Sequence, residues 1–315
     1  MADQQPQPAI AGVDIGGTNV RCAVAGLADP SRILSRRSIR TPAVAEPRTL
    51  VEMISQQIDL CLSEAGLTRE TLTSVGCAAP GITDAGAGVV ISAANLEGWR
   101  DVPLARLLEE RFGVPAAVEN DVRVAALGEF KYGAGRMKEG CRSLVYMTIS
   151  TGVSAGIIVN GQPLRGAHHC AGELGYFLPD PAHIGKDWGL NGCLELTAAG
   201  IGIAQQWATR HKNLSTDFSA ADVFTAAHAG DVEATQIIER ASNYLAQTAV
   251  ALCTIIDPEI LVLGGGIAEN EPQLVSRIRD VMQTTIPYPP PVVKAELGGD
   301  SPLIGALAVA ATLKP

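Results

Sequence analysis

The stretch AIAGVDIGGTNVRCAVAG, residues 9–26, contains two apolar runs separated by GGT at 16–18. Alternating apolar residues on both sides of a short glycine-containing segment predict two β-strands joined by a tight turn. A second stretch, SLVYMTISTGVSAGIIVNG at 143–161, repeats this plan around STG at 150–152. Either turn alone is interpreted most simply as an ordinary hairpin. The two together predict two α/β domains whose glycine turns face each other across a cleft and bind anions through backbone N–H groups.

Helical patterns follow both predicted hairpins. Apolar residues recur at helical spacing from Leu50 to Ala65, and Gly66 stands where a helix C-cap is expected. Residues 232–256 predict a long and largely buried helix. The length of 315 residues also suggests about two domains.

The composition excludes several classes of protein. With a net charge of −9 and no cluster of Lys or Arg, the chain is not expected to bind nucleic acid or an anionic membrane surface. The opening MADQQPQP lacks the basic and apolar regions of a secretory signal, and the longest apolar runs are too short to span a bilayer. Seven scattered cysteines without a CxxC pair are typical of a reduced compartment. We therefore expect a cytoplasmic protein without a membrane or nucleic-acid partner.

The first glycine turn differs from the common phosphate-binding loops. No GxxxxGK[ST] motif occurs, because Asp187 follows the Gly-Lys pair at 185–186, and no GxGxxG follows a predicted strand. In DIGGTN, the two glycines permit close approach to the backbone, and Thr18 and Asn19 add hydrogen-bonding side chains. Asp14 would direct a carboxylate towards the Mg²⁺ of a bound nucleotide.

Two further glycine segments suit a nucleotide. STG at 150–152 offers a hydroxyl group together with backbone N–H groups. LVLGGGIAEN at 261–270 places three glycines between an apolar strand and a helical stretch. Such a segment leaves room for a flat ring, or for a phosphate at the helix N-terminus.

Together, DxGGTxxR at 14–21, STG at 150–152 and GGG at 264–266 resemble the phosphate and adenosine motifs of the sugar-kinase/actin-like ATPase superfamily. The resemblance becomes more specific with ENDxxxAALGE from residue 119, AGELG from 171 and GCLE from 192, which stand in the order found in ROK family sugar kinases. The likeness extends from residue 10 to about residue 310. ROK repressors carry an additional N-terminal DNA-binding domain, and only about nine residues precede the first predicted strand here. The kinase branch is therefore the better match.

The resemblance implies a two-lobed actin-like ATPase (ribonuclease H-like) α/β fold, with a mixed sheet flanked by helices in each lobe and the active site in the interdomain cleft. It assigns residues 1–120 and a C-terminal helix at about 302–315 to a small N-terminal domain, and 121–301 to a large C-terminal domain. It also implies ATP and Mg²⁺ as cofactors. The positions that match the nucleotide-binding motifs are Asp14, Gly16, Gly17, Thr18, Asn19, Arg21, Thr151, Gly152, Gly264, Gly265 and Gly266.

Asp121 is the predicted catalytic residue. It lies where the strand pattern of VPAAVEN changes to the helix pattern of DVRVAALGEF, and from these residues alone a helix N-cap, at Asp121 or at Asn120, is the simpler interpretation. Phosphoryl transfer to a sugar needs a carboxylate that accepts the hydroxyl proton. The resemblance implies that Asp121 is this base and that Asn120 hydrogen-bonds the sugar. Asp300, which also precedes a helical stretch, is predicted to act only as a cap.

Further sugar contacts are implied by the same resemblance. A carboxylate can accept hydrogen bonds from two adjacent hydroxyl groups, and Glu173 and Glu195 match the family's two sugar-binding glutamates. NLEGW at 95–99 is similar to the family's NLPGW, so Asn95 is a candidate, with a plain turn residue as the alternative. Gly81 is expected to line the same cleft, and Tyr176 replaces a family histidine with a phenol that could reach the sugar.

The zinc site of the family is not retained in this sequence. Its ligand positions, one His and three Cys, correspond to Tyr176, Lys186, Trp188 and Cys193. One thiolate cannot form a tetrahedral structural zinc site, and the spacing of the nearby histidines matches no zinc pattern. We therefore predict no zinc. Apolar packing is expected to order the loop instead, by Pro179, Pro181, Trp188 and Leu190.

The resemblance implies an ATP-dependent hexose kinase that converts glucose to glucose 6-phosphate. An N-acetylhexosamine kinase, for N-acetylglucosamine or N-acetylmannosamine, or a fructose kinase of the same family is the nearest alternative, because these enzymes share the motifs. A non-catalytic sugar-binding regulator is a remote alternative, since it would lose Asp121 or the GGT turn. Family members are often dimers, which implies a homodimer.

Overall fold

The computed structural model describes residues 7–42, 44, 46–187, 192–210 and 218–314. The described residues divide into two compact units. Unit 1 comprises Met1–Arg136, Pro163–Cys170 and Asp300–Pro315 within those bounds, and unit 2 comprises Met137–Gln162 and Ala171–Gly299. The short segment 163–170 thus belongs to unit 1, although both of its chain neighbours belong to unit 2.

Unit 1 is a mixed sheet flanked by helices. Its strands and helices are β1 (Ala9–Ile15), β2 (Asn19–Gly26), β3 (Asp29–Arg40), α1 (Pro47–Glu64), β4 (Leu72–Ala79), β5 (Ile82–Asp84), β6 (Val89–Ser92), β7 (Arg100–Val102), α2 (Leu104–Phe112), β8 (Ala116–Asn120), α3 (Asp121–Tyr132) and, near the end of the chain, α10 (Ser301–Ala310). The main sheet has the order β3-β2-β1-β4-β8, and β5, β6 and β7 form a small antiparallel sheet.

Helices cover both faces of the main sheet. Successive residues of a strand point to opposite faces, so the packing partners of β1 identify the helix on each face. Val13 and Ile15 of β1 pack in a core that also contains Ile54 of α1, whereas Ile10 packs with Leu303 and Leu307 of α10. The sheet therefore has α1 on one face and α10 on the other. The apolar pattern predicted for the first hairpin and for the helix before Gly66 is confirmed by these elements.

The carboxyl ends of three parallel strands meet at one edge of the main sheet. Strand β1 pairs in parallel with β4, and β4 pairs in parallel with β8, with Asp14 opposite Ala78 and Ala79 opposite Asn120. In sheets of this kind, ligands bind outside the carboxyl ends of the strands. The GGT turn, Gly81 and Asp121 follow these three strand ends.

Two glycines allow α3 and α10 to pack closely. A Cβ atom added at Gly305 would lie 1.9 Å from Val124 O, and one added at Gly128 would lie 2.6 Å from Ser301 O. Glu129 is buried beside this crossing, where its carboxylate accepts hydrogen bonds from Ser301 Oγ at 2.7 Å and Ala134 N at 3.0 Å. The AALGE part of the END motif therefore supports the helix that begins with Asp121.

The prediction that Asp300 only caps a helix is wrong. Asp300 precedes α10 but makes no side-chain capping hydrogen bond. Pro302 occupies the second position of the helix, where it has no N–H to offer to a cap. The Asp300 carboxylate instead pairs with Arg36 at 2.7 Å and lies 3.5 Å from Arg21.

A second mixed sheet has the order β11-β10-β9-β12-β13, and all of it lies in unit 2 except Pro163 at the end of β11. The elements of unit 2 are β9 (Leu144–Ile149), β10 (Val153–Val159), β11 (Gln162–Pro163), α4 (Leu194–Ala198), α5 (Gly200–Arg210), α6 (Ala220–His228), α7 (Val232–Ile256), β12 (Leu261–Gly264), α8 (Gly266–Asn270), α9 (Pro272–Thr285) and β13 (Val292–Lys294). The predicted second hairpin and the predicted helix over 232–256 are confirmed. Among the described residues, no helix is both long enough and apolar enough to cross a membrane.

Candidate active site

The GGT turn of unit 1 exposes its backbone while its ends are fixed. Gly16 N donates to Asn19 O at 3.0 Å, which closes the turn. Thr41 holds it from the side, since Thr41 Oγ1 donates to Gly16 O at 2.6 Å and Thr41 N donates to Thr18 O at 2.9 Å. Gly17, Thr18 and Asn19 are exposed. The turn can therefore receive an anionic group without rearranging its own hydrogen bonds.

Asp14 and Arg21 form an ion pair next to this turn. They are cross-strand partners, and Arg21 Nε and Nη2 lie 2.9 and 2.7 Å from the same oxygen, Asp14 Oδ2. Burial raises the pKa of Asp14 above its ordinary value, and the Arg21 guanidinium acts in the opposite direction. Because Oδ2 is already engaged twice, the geometry fits Asp14 as the group that orients Arg21 better than as a direct ligand of Mg²⁺.

Asn120 and Asp121 have different roles at the start of α3. Asn120 is the N-cap: its Oδ1 accepts hydrogen bonds from the backbone N–H groups of Val122 and Arg123, both at 3.1 Å. Its Nδ2 donates to Gly81 O and to Asp121 Oδ1, both at 3.0 Å. Asp121 is the first residue of the helix, half-buried, and its Oδ1 also accepts from Val122 N at 2.9 Å. Asn120 therefore caps the helix and orients the Asp121 carboxylate.

Gly81 and Asn95 lie at the same edge of unit 1. Gly81 has a φ of +81°, and a Cβ atom there would lie 2.1 Å from Ser92 O, so only glycine fits this position. Asn95 is exposed in the turn that follows β6. A Cβ atom at Gly17 would lie 3.7 Å from Asn95 Cβ, which makes Asn95 a neighbour of the GGT turn. Unit 1 therefore brings together the predicted phosphate turn, Asn95, Gly81, Asn120 and Asp121.

A buried charge cluster behind Asp121 was not anticipated from the sequence. Glu119 and Arg123 are only 3% and 1% exposed, and Arg123 Nε donates to Glu119 Oε1 at 2.8 Å. Arg165, from the segment 163–170, donates through Nε to Glu119 Oε2 at 2.8 Å. An arginine within a run of apolar helix residues was the available signal, but its partners are distant in the sequence.

In unit 2, the STG turn lies beside the third glycine segment. Ser150 N donates to Gly152 O at 2.9 Å, and the N–H groups of Gly200 and Ile201 donate to Ser150 O and Thr151 O at 2.8 and 3.0 Å. Gly265 has a φ of +87°, and a Cβ atom there would lie 2.6 Å from Ile149 O. These contacts join the turn to the beginnings of α5 and α8. The predicted nucleotide-binding residues Thr151, Gly152 and 264–266 are thus gathered within one unit.

A cavity of about 530 Å³ opens at this junction. Ser150, Thr151 and Gly266 contribute to its lining, together with the apolar residues Ile201, Ala204, Ala208, Phe218, Phe224 and Ile267. Ile201 is 40% exposed in spite of its apolar side chain, as expected for the wall of a ligand site. The volume is in the range of small-molecule pockets. The apolar lining with a glycine-rich border fits a nucleoside ring whose phosphates reach the STG turn.

Glu195 lies against the STG turn. It is in the first turn of α4, and a Cβ atom at Gly152 would lie 2.6 Å from Glu195 Oε2. A Cβ atom at Gly175 would lie 3.3 Å from the same oxygen. The carboxylate predicted to hold the sugar is therefore flanked by the two glycines of the STG and GELG motifs. Any side chain at Gly152 would displace it.

The GELG segment is fixed against β10. Gly172 O accepts hydrogen bonds from Ala155 N at 2.8 Å and Ser154 Oγ at 3.0 Å. Glu173 then precedes a single 3₁₀ turn, Leu174–Tyr176. Tyr176 is 57% exposed. Glu173, Tyr176 and Glu195 therefore all lie on the segment that leads from β10 to α4.

The positions that hold zinc in the family do not form a metal site among the residues described. Tyr176, Lys186 and Cys193 offer one thiolate, and Trp188 and Leu190 lie outside the described residues. No group of three or more His, Cys, Asp or Glu side chains suited to a metal occurs within the described ranges. The residues present do not fit zinc, and its absence remains a prediction that elemental analysis of the purified protein tests.

The loop between Tyr176 and Cys193 is tied to α7 by hydrogen bonds. Gln247 Nε2 donates to Pro179 O at 3.1 Å, and Tyr244 OH lies 3.4 Å from Asp180 Oδ2. Leu194 N also donates to Phe177 O at 2.8 Å, which closes the loop at its end. These polar contacts, which the sequence did not indicate, hold the two ends of the loop and with them Glu195.

The model of the ROK family matches residues 10–312. The chain belongs to the ROK family. This membership confirms the resemblance found in the motifs, and it agrees with the two mixed sheets flanked by helices.

Individual relatives cover nearly the whole chain. A glucokinase from Halalkalibacterium halodurans is 33% identical over 317 residues, which is 93% of this chain and 92% of that protein. An N-acetylmannosamine kinase from Citrobacter koseri is 30% identical over 298 residues, with 95% and 97% covered. The crystal structure of a ROK family glucokinase from Streptomyces griseus in complex with glucose and AMPPNP is 29% identical, with a TM-score of 0.75 and 97% and 100% of the two chains covered. This ROK protein therefore has the fold of the family's actin-like sugar kinases.

Proposed function

We propose that this ROK protein transfers the terminal phosphoryl group of ATP to a hexose, with Asp121 as the general base. The observation that carries the proposal is the arrangement at the start of α3. Asn120 caps the helix, so Asp121 is not needed for capping and its carboxylate is held in the first turn. A negative charge is favourable at this end of a helix. Asp121 can therefore remain a carboxylate that accepts a hydroxyl proton.

Sugar-binding roles are proposed for residues of unit 1 and, separately, for residues of unit 2. Asp121 would accept the proton of the attacking hydroxyl group, and Asn95 and the Gly81 segment would border the sugar. Glu173 and Glu195 would accept hydrogen bonds from further hydroxyl groups, and Tyr176 could add its phenol. Asn120 would act through Asp121, because its amide already makes four hydrogen bonds within the chain.

ATP would bind with its base in the cavity of unit 2 and its phosphates towards the STG turn. The apolar lining that includes Ile201 and Phe224 suits the base, and Thr151 and Gly266 stand at its border. Gly16, Gly17, Thr18 and Asn19 would supply further N–H and hydroxyl groups. Mg²⁺, when bound, neutralises charge on the phosphate oxygens, and it usually keeps several waters in place of protein ligands. Arg21, oriented by Asp14, would add a positive charge near the first turn.

Glucose, phosphorylated at its 6-hydroxyl group, is the proposed substrate. The H. halodurans glucokinase supports this choice with the higher identity, while the N-acetylmannosamine kinase from C. koseri supports the nearest alternative. We also propose a homodimer in the cytoplasm. The seven cysteines are all free thiols, which suits a reducing compartment.

The proposal is tested by release of ADP with a panel of sugars, which contains glucose, mannose, fructose, N-acetylglucosamine and N-acetylmannosamine. We expect the highest kcat/KM with glucose. Asp121→Asn should lower kcat by about 10²–10⁴-fold, the usual contribution of a general base, and leave the affinity for glucose within a few-fold. Asp280→Asn, which changes an exposed carboxylate on α9, is the matched control. Near-normal turnover of Asp121→Asn would contradict the role of this residue.

A further inference from the structure

Both carboxylate oxygens of Glu119 accept hydrogen bonds, two from residues on either side of Asp121 and one from Arg165. Its Oε1 accepts hydrogen bonds from Asn120 N at 2.9 Å and from Arg123 Nε at 2.8 Å. Its Oε2 accepts from Arg165 Nε at 2.8 Å. One buried anion thus fixes the backbone of the residue before Asp121 and the side chain of the residue two positions after it.

Arg123 extends this cluster to two other segments of unit 1. Its Nη1 donates to His169 O at 2.9 Å, and its Nη2 donates to Thr83 O at 3.1 Å. His169 belongs to the segment 163–170, which also supplies Arg165, and Thr83 lies in β5. All three guanidinium nitrogen atoms, which carry their N–H donors in a rigid planar fork, therefore donate hydrogen bonds to different residues. Arg123 therefore sets the distance between the start of α3, β5 and the segment 163–170.

A purely stabilising role is a weak explanation for such a cluster. Burying charges carries a large desolvation cost, so an ion pair in an interior is often no more stable than apolar residues of the same volume. A shared network of directional bonds does, however, fix orientation. Here the oriented groups are the Asn120–Asp121 segment and Asn120 Nδ2, which donates to Asp121 Oδ1.

We propose that Arg123 and Arg165 are positioning residues for Asp121, acting through Glu119 and Asn120. This inference rests on the proposed role of Asp121 as the base. Arg123 and Arg165 hold Glu119, Glu119 holds the Asn120 backbone, and Asn120 orients the carboxylate that accepts the proton. A displacement of about 1 Å in a reacting group can lower a rate by about 10²-fold. Loosening the cluster should therefore reduce turnover without removing any group that touches the sugar.

Arg165→Gln is the principal test, because the Arg165 side chain is 45% exposed and its loss leaves Arg123 paired with Glu119. We expect kcat for glucose phosphorylation to fall by about 10-fold or more, with KM for glucose within a few-fold of wild type. The melting temperature should fall by a few degrees, because the buried Glu119 carboxylate loses the Arg165 hydrogen bond. Arg123→Lys, which keeps the charge but loses the fork, should show a larger fall in kcat. Arg111→Gln is the matched control, since Arg111 on α2 is also a partly exposed arginine that pairs with a carboxylate, but its partner Glu52 is 50% exposed whereas Glu119 is 3% exposed.

A double-mutant cycle separates positioning from general stabilisation. In an Asp121→Asn background, Arg165→Gln should lower the residual rate by less than about 2-fold, because the carboxylate that it positions is gone. An equal fractional loss in both backgrounds, or a kcat of Arg165→Gln equal to that of Arg111→Gln, would overturn the proposal. A wild-type protein that binds ATP but phosphorylates none of the sugars would instead overturn the proposed function, and this inference with it. If Arg123→Lys does not fold, the Arg165→Gln cycle alone decides.

Discussion

The two glycine turns have the same local design but different surroundings. Each joins two antiparallel strands, the first after Ile15 and the second after Ile149. The GGT turn is bordered by the Asp14–Arg21 pair and by Asn95, and its residues Gly17 and Thr18 are exposed, as is the following Asn19. The STG turn is packed against Glu195 and the start of α5, and it borders the cavity of unit 2. The same hairpin pattern thus forms an exposed turn in one unit, where we propose that an anion binds, and the edge of a cavity in the other.

Replacing one glycine by alanine in each turn should give the largest difference in kcat/KM between the two turns. Gly152→Ala places a Cβ atom 2.6 Å from Glu195 Oε2, so this carboxylate must move, and we expect kcat/KM for glucose to fall by about 10²-fold. Gly17→Ala places a Cβ atom 3.7 Å from Asn95, an ordinary contact, and the loss should stay below about 10-fold. Gly299→Ala, with no atom within 4 Å, is the control for steady-state kinetics. Equal losses at the two turns would remove the distinction between them.

Filling the cavity of unit 2 should weaken the binding of ATP and leave the binding of glucose unchanged. Ala204→Phe introduces a ring among the apolar lining residues of unit 2, and we expect Kd for ATP to rise by about 10-fold or more, since each 1.4 kcal/mol of lost binding is tenfold. Calorimetric titration with a non-hydrolysable ATP analogue measures this change. Binding of glucose should be unaffected. An unchanged Kd for the nucleotide would mean that the base binds elsewhere.

Two ionisable groups near the hairpins, Glu259 and Asp14, should contribute to stability with opposite dependence on pH. Glu259 accepts hydrogen bonds from the N–H groups of Arg142 and Ser143, just before β9, and pairs with Lys138. The Arg142 N–H, the Lys138 ammonium and the Ser143 N–H lower the pKa of Glu259 from 4.5 to about 2. Because the folded-state pKa is the lower one, ionised Glu259 stabilises the protein above pH 4.5, and this stability is lost as the pH falls towards 2. Burial raises the pKa of Asp14 above its ordinary value of 3.8. The contribution of Asp14 to folding stability is therefore fully present below pH 3.8 and is lost as the pH rises through the folded-state pKa.

Glu259→Gln should therefore lower the melting temperature by about 2–4 °C at pH 7, the shift expected for a loss of about 1 kcal/mol. The difference from wild type should shrink as the pH is lowered below 4.5. Calorimetry over a series of pH values, with the exposed Glu239→Gln as control, measures this effect. A difference that stays constant with pH would contradict the low pKa.

Short-range patterns predicted the hairpins and the helix Val232–Ile256, because alternation and helical spacing are properties of neighbouring residues. The same patterns could not decide between Asn120 and Asp121 as the cap, since both are good capping residues and only the backbone geometry selects Asn120. Asp300 was misjudged for a related reason: its partners, Arg21 and Arg36, lie more than two hundred residues away in the sequence.

The parts of the candidate site that escaped prediction depend on long-range contacts. Glu119 and Arg165 are 46 positions apart, and the cavity is lined by residues scattered between Ser150 and Glu271. The contacts of Tyr244 and Gln247 with the Pro179–Asp180 segment span more than sixty positions. Motifs indicate which groups are candidates for ligand contact, but the residues that hold those groups in place are identified only in three dimensions.

Phosphorus NMR of glucose mixed with MgATP and the pure protein detects directly whether this ROK protein makes a sugar phosphate with Asp121 as the base. The wild-type protein should produce one glucose 6-phosphate signal in equal amount to ADP, and Asp121→Asn should produce it about 10²–10⁴ times more slowly. Release of inorganic phosphate alone, no sugar phosphate from any hexose offered, or an undiminished signal with Asp121→Asn would contradict the account.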